Sequence, residues 1–205
     1  MNTLSAIQGS AHTDVLIVGA GVTGLTLTIE LRRRGVGVRV IDKLDAFPNS
    51  SRGKGVQPRT LEVFDDLGIV EQVLAGAKTD MRARIYQDAR FVTELNLIAQ
   101  PTADVPYPNI AYLPEWRTEA ILWARLAELG VSVELSHELL ALEQSAGGVT
   151  AAVQQTQTGA AEEICVCYLV GSDGGRSTVR GSSACASTAR LSRSTSLSGI
   201  SRYLR

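Results

Sequence analysis

Three glycines, Gly19, Gly21 and Gly24, follow directly on the apolar run Val15–Val18, and Asp42 closes a second apolar run, Val38–Ile41. G-x-G-x-x-G at this position is suited to holding a pyrophosphate. Gly19 permits a tight turn out of a strand, Gly21 removes the Cβ that phosphate oxygens would meet, and Gly24 lets the following helix lie close on the strand. Val22 and Thr23 then fall where the free N–H groups of a helix start face an anion. Asp42, with Lys43 beside it, can accept hydrogen bonds from a ribose diol, whereas a 2′-phosphate there would meet a like charge. The nucleotide expected is therefore NAD or FAD rather than NADP.

The elements that must position these residues are legible around them. Four continuous apolar residues bounded by glycine read as a buried parallel strand. Leu25 with Ile29 and Leu27 with Leu31 give i, i+4 pairs for a helix. Arg32, Arg33 and Arg34 complement its C-terminal dipole, and Gly35 stands at C′. The whole reads as one βαβ unit closing on an acid.

With 205 residues, a net charge of −1 and 44% hydrophobic residues, the chain can bury a core. That balance gives no electrostatic case for nucleic acid or an anionic membrane surface. No apolar run has the length of a membrane span, and residues 1–13, a disordered leader, lack the basic and apolar parts of a signal peptide. A cytoplasmic protein is expected. Of the three cysteines, Cys165 and Cys167 read as buried structural thiols. His12 and His137 lack Cys or His neighbours at ligand spacing, so no metal site and no nucleophilic triad is assigned.

After a polar loop, SRGKGVQPRTLEVF places Arg52 and Lys54 among small residues, where they can approach an anionic ligand or simply be solvated. From Thr60, Leu61, Phe64 and Leu67 give a helical face ending at Gly68. Ala83 to Leu97 suggests a hairpin about Gln87-Asp88-Ala89, followed by a proline-rich loop. LPEWRTEAILWARLAELG predicts an amphipathic helix stopping at Gly130. Strands are expected over Val131–Leu135, Leu139–Leu142, Val149–Val153 and Ile164–Val170, the last running into the second glycine-rich turn, GSDGGRSTVR.

Together GAGVTGL with Asp42, SRGKGVQPRTLEVF and YLVGSDGGRSTVR resemble the flavin-dependent aromatic hydroxylases, the single-component FAD monooxygenases. The resemblance implies an α/β, Rossmann-like FAD-binding fold of the glutathione-reductase type, with part of a β-rich substrate domain interrupting residues 14–180 at about 76–114. It implies FAD as cofactor, NAD(P)H as transient reductant, oxygen, and a small aromatic or polyketide-like substrate. Arg52 would stand near the flavin, and Asp173 belongs to a motif serving both FAD and the nicotinamide. Glu115 occupies the place where the family carries glutamine, and an ionised carboxylate can only accept hydrogen bonds there. No acid or base is assigned.

The family's chains run further and carry another flavin-contacting Gly-Asp-Ala block. Residues 1–180 have a net charge of −5, while residues 181–205 hold four arginines, many serines and no acid. A low-complexity, disordered tail and a truncated monooxygenase are the resulting expectations. The alternatives are a non-catalytic dinucleotide-binding remnant and an NAD-dependent dehydrogenase, although the latter has no reason to carry the second and third blocks.

Overall fold

A computed structural model describes residues 13–47, 53–96 and 98–182. β1 (Val15–Val18) leads through the glycine turn into α1 (Val22–Arg33) and then β2 (Val38–Ile41). In α1, Leu25 and Ile29 are fully buried, and Gly35 takes φ +77° just past the helix. Next come β3 (Gly55–Val56), α2 (Pro58–Asp66) and α3 (Val70–Gly76). α2 starts on Pro58, whose missing N–H costs nothing at a helix N-terminus. It buries Leu61 and Phe64, and Gly68 lies beyond its end at φ +74°.

A hairpin, β4 (Ala83–Gln87) and β5 (Arg90–Leu95), precedes β6 (Ala111–Tyr112) and α4 (Glu115–Glu128). β6 pairs antiparallel with β3, which ties the 76–114 segment back to the glycine-containing half. The antiparallel strands β7 (His137–Ser145), β8 (Gly148–Gln155) and β9 (Ala161–Val166) follow. β10 (Tyr168–Gly171) and α5 (Thr178–Ser182) complete the described chain.

β1 lies between β10 and β2 in a parallel three-stranded sheet, pairing in register with both. Its alternating side chains serve two cores. Val15 and Ile17 join a cluster with Leu25, Ile29, Phe64, Leu122 and Leu126 on the helical side. Leu16 and Val18 join Leu139, Ala151, Val153, Ile164 and Val166 of the β7–β8–β9 sheet. Burial on both faces is why β1 reads as a continuous apolar run rather than an alternating one. The arrangement is helices, parallel sheet, antiparallel sheet, with the glycine turn at the C-terminal end of β1.

Several expectations need correction. Val131–Leu135 is not a strand; only Glu134 makes a single parallel bridge, to Ile41, which extends the edge at β2. Ile164–Val170 is not one strand but parts of two, β9 and β10, in different sheets with the break at Cys167. On β9, Ile164 and Val166 take the buried face and leave Cys165 out, so both Cys165 and Cys167 are exposed rather than buried. α3 and the β3–β6 pair were not anticipated, because seven- and two-residue elements are too short to show a period. Pro48, Arg52, Leu97, His12, Cys185 and the ends expected to be disordered lie outside the described residues. Among the described residues, no helix is long and apolar enough to cross a membrane.

Candidate dinucleotide site

At the C-terminal ends of β1, β2 and β10 the backbone turns sharply. Gly19 has φ +103°, and a Cβ there would lie 2.4 Å from the Ser172 carbonyl oxygen. A Cβ on Gly24 would lie 1.9 Å from the Gly19 oxygen and 2.6 Å from Ser172 Oγ. Both positions are closed by the chain itself. Gly21 is different: at φ −74° any residue is tolerated, and among the described residues a Cβ would meet only Glu119 Oε1, at 3.8 Å. Gly21 is also the N-cap of α1, with no side-chain cap and no acid in the first helical turn. The N-cap residue itself thus supplies no side chain to the positive end of the helix, and a Cβ at Gly21 would make only ordinary contact.

The two glycine-rich turns are stitched together. Ser172 N–H donates to the Val18 oxygen (2.8 Å), and its Oγ lies 3.0 Å from that oxygen and 2.8 Å from the Gly19 oxygen. Gly19 N–H donates to the Ile41 oxygen at 2.8 Å, and Ala20 N–H to Asp42 Oδ2 at 2.7 Å.

A cavity of about 220 Å³ opens on this corner, and Gly19, Gly21, Asp42, Lys43 and Asp173 line it together. A second, of about 210 Å³, is lined by Val22, Gly53, Gln57, Glu115 and Thr118. The sequence-predicted residues therefore divide between two hollows that meet at the start of α1. Thr23 is exposed at that start and Gly24 is buried under it, so their side-chain positions line neither hollow. Arg52 cannot be placed, being outside the described residues.

Asp173 has a structural commitment. Its Oδ1 accepts from Ser177 Oγ at 2.6 Å, and its Oδ2 accepts from the N–H groups of Thr178 (2.6 Å) and Val179 (3.2 Å) at the start of α5. Burial pushes its pKa upward, but the hydrogen bonds from Ser177 and the backbone outweigh this, and the carboxyl is held below its usual range.

Other residues around the first hollow were not among those expected there: Leu44, His137, Glu138 and Leu139, while Arg176 arrives with the GSDGGRSTVR block. Lys43 Nζ lies 3.8 Å from Glu138 Oε1. No sequence signal marks the β7 residues, which arrive only through the fold. Glu119 could have been found. It is 4% exposed and sits on the same stripe of α4 as Leu122 and Leu126, a charged residue in an apolar row.

His137 also has company that its sequence neighbours do not reveal. Ligand atoms of Glu134, His137 and Glu162 lie within 4.8 Å of one another. The cation these acids meet is Arg39, whose Nε and Nη2 donate to Glu134 (2.8 and 2.6 Å) and whose Nη2 also donates to Glu162 at 2.9 Å. The hydrogen bonds to Glu134 lead in raising the Arg39 pKa, against the opposing effect of burial.

Residues 12–198 match the family model described as FAD binding domain. The chain is 46% identical over 173 residues to a flavin-dependent monooxygenase of Mycobacteroides abscessus, covering 81% of this chain and 36% of that protein. It is 41% identical to the 6-methylpretetramide 4-monooxygenase of Streptomyces rimosus, covering 82% of this chain and 29% of that protein. The crystal structure of the flavin-dependent monooxygenase PieE, in complex with FAD and substrate, superposes with a TM-score of 0.73 at 27% identity. That match covers 84% of this chain and 32% of PieE. The chain thus spans about a third of the length of the curated relatives it matches.

Proposed function

The chain belongs to the FAD binding domain family, and from that premise we propose that it holds FAD across the glycine turn. We propose further that it serves a monooxygenase acting on small aromatic or polyketide-like molecules with NAD(P)H and oxygen. The single observation that carries the cofactor reading is Gly21. The chain leaves room for a side-chain carbon over it, at the N-terminus of α1 and beside two hollows. A dinucleotide needs such a place: a pyrophosphate on the turn, with one nucleotide portion to each side.

In this reading the N–H groups at the start of α1 take the pyrophosphate, Asp42 accepts from the adenosine ribose, and Lys43 stands beside it. Val22 and Glu115 border the flavin end, to which Arg52 is assigned by resemblance. Asp173 shapes the turn that closes the first hollow. Bound flavin would accept electrons from NAD(P)H and activate oxygen. The protein's part is to bind, orient and exclude water, and Glu115, if ionised, can only accept a hydrogen bond at its end of the site. The segment at about 76–114 is assigned to the substrate domain. The names of the relatives, one acting on 6-methylpretetramide, support the polyketide substrate class.

The test is reconstitution. Purified protein is titrated with FAD and with NAD, followed by flavin fluorescence and calorimetry. FAD bound at one equivalent, with NAD binding at least tenfold weaker, is the expected result (about 1.4 kcal/mol of discrimination). Tight NAD binding without FAD would favour a dehydrogenase, and binding of neither would favour the non-catalytic remnant. Product formation from a panel of phenols then tests the monooxygenase assignment separately.

A further inference from the structure

We propose that Asp42 is a positioning residue for the phosphate-binding turn as well as a ribose acceptor, so that part of its contribution to FAD affinity does not pass through the ribose. The proposal rests on the FAD reading above for its ligand, but its structural half stands on this chain's own bonds.

Ala20, between Gly19 and Gly21, gives its N–H to Asp42 Oδ2 at 2.7 Å across 22 residues. A donor to an ionised carboxylate at this length is a strong hydrogen bond. The acceptor is itself fixed. Asp42 N–H donates to the Glu134 oxygen at 2.9 Å, the Asp42 carbonyl accepts from His137 N–H at 2.9 Å, and Oδ1 accepts from Leu44 N–H at 2.9 Å. Three hydrogen bonds therefore fix Asp42, two through its backbone and one through its carboxylate, and the carboxylate in turn holds the middle of the turn. The turn needs holding, because glycines flank Ala20 on both sides and glycine backbone loses the most freedom on ordering. A turn already fixed in the free protein spares the ligand that ordering cost. An ionised carboxylate has about four acceptor positions, so the bonds to Ala20 and Leu44 leave capacity for the ribose diol. Asp42 thus joins the turn and the sugar through one group.

Two measurements on the full chain decide this. Amide hydrogen exchange, read without ligand, should show Ala20 exchanging about tenfold faster or more in Asp42→Ala, while Val18 and Leu25 keep their protection. Binding is then measured for FAD and for an FAD analogue lacking both adenosine ribose hydroxyls. Asp42→Ala should weaken FAD by about tenfold or more, and should still weaken the analogue by about threefold or more. Asp42→Asn, which keeps the shape and a neutral acceptor, should fall between wild type and Asp42→Ala in both assays and guards against a folding defect. An unchanged Ala20 exchange rate overturns the proposal. So does a substitution cost that disappears with the analogue, which leaves Asp42 a ribose acceptor alone. Failure of the wild-type chain to bind FAD would overturn the FAD reading instead, with the exchange result still deciding whether Asp42 holds the turn.

Discussion

The glycine corner and the β4–β5 hairpin are built on opposite principles. In the corner, partners come from across the chain: Ala20 to Asp42, Gly19 to Ile41, Ser172 to Val18 and Gly19. In the hairpin nearly every partner is local. Arg84 donates to Glu94 at 2.9 Å, Arg82 to Glu94 at 3.1 Å, and the rings of Tyr86 and Phe91 meet edge to face at 5.8 Å. β1 is buried throughout, whereas Ile85, Tyr86, Phe91, Val92 and Leu95 of the hairpin are exposed. A two-stranded ribbon without a covered face is marginally stable. The corner's geometry is over-determined, and the hairpin's is held by its turn and a few surface pairs.

The largest expected effect of a single change falls where the corner has no slack. In Gly24→Val the new Cβ would start 1.9 Å from the Gly19 oxygen, a backbone atom that cannot swing away. Separating α1 from β1 to admit it would disrupt Leu25 and Ile29 packing, so a loss of about 3 kcal/mol or more is expected. Thermal and denaturant unfolding measure it; a variant as stable as wild type would show the corner to be looser than its contacts indicate.

Gly21→Val comes next and separates folding from binding within that same corner. Among the described residues, nothing closer than 3.8 Å opposes a Cβ there. Far-ultraviolet circular dichroism should stay close to wild type while FAD affinity falls by about a hundredfold or more, as expected when a side chain fills a phosphate's place. Unchanged affinity would remove the turn from the site.

Sequence reading succeeded where a residue's role is set by its immediate neighbours. The run Val15–Val18, the Leu25/Ile29 pair and the stops at Gly35, Gly68 and Gly130 all stand where the local pattern puts them. It failed where the deciding partner is distant. Nothing near Cys167 announces that β9 hands over to β10 in another sheet, and nothing in Val131–Leu135 shows that only Glu134 reaches β2. The lining of the first hollow follows the same division. Gly19, Gly21 and Asp42 were legible from spacing, whereas His137, Glu138 and Leu139 enter the hollow only because β7 passes beside the end of β2.

Asp173 offers a smaller, pH-dependent test at the edge of the corner. Its folded pKa lies below the ordinary value, so its stabilising contribution is present above the unfolded pKa. That contribution is lost as pH falls through the folded value. Asp173→Ala should cost about 1 kcal/mol near neutrality, as loss of a helix-start acceptor does, and less in acid below about pH 4. A cost that stays constant from pH 7 to pH 3 would mean that the hydrogen bonds to Ser177, Thr178 and Val179 are not what the carboxylate contributes.

The smallest effect belongs to the hairpin, and it is expected to be stabilising. Its two turn residues, Asp88 and Ala89, lie at φ +47° and +62°. Two-residue hairpin turns with both φ positive suit the right-handed twist of the strands, and Asp followed by Gly is the favoured pair. Alanine carries a Cβ that the left-handed region disfavours by about 1 kcal/mol. Ala89→Gly relieves that, but also gives the unfolded chain more freedom to lose, so the net gain is about 0.5 kcal/mol. Because the hairpin shares no buried cluster with the corner, the gain should appear as slower amide exchange between β4 and β5 and leave FAD affinity within twofold of wild type. A larger change in FAD affinity would show that the hairpin conformation reaches the glycine turn. The two regions would then have to be treated as one cooperative unit.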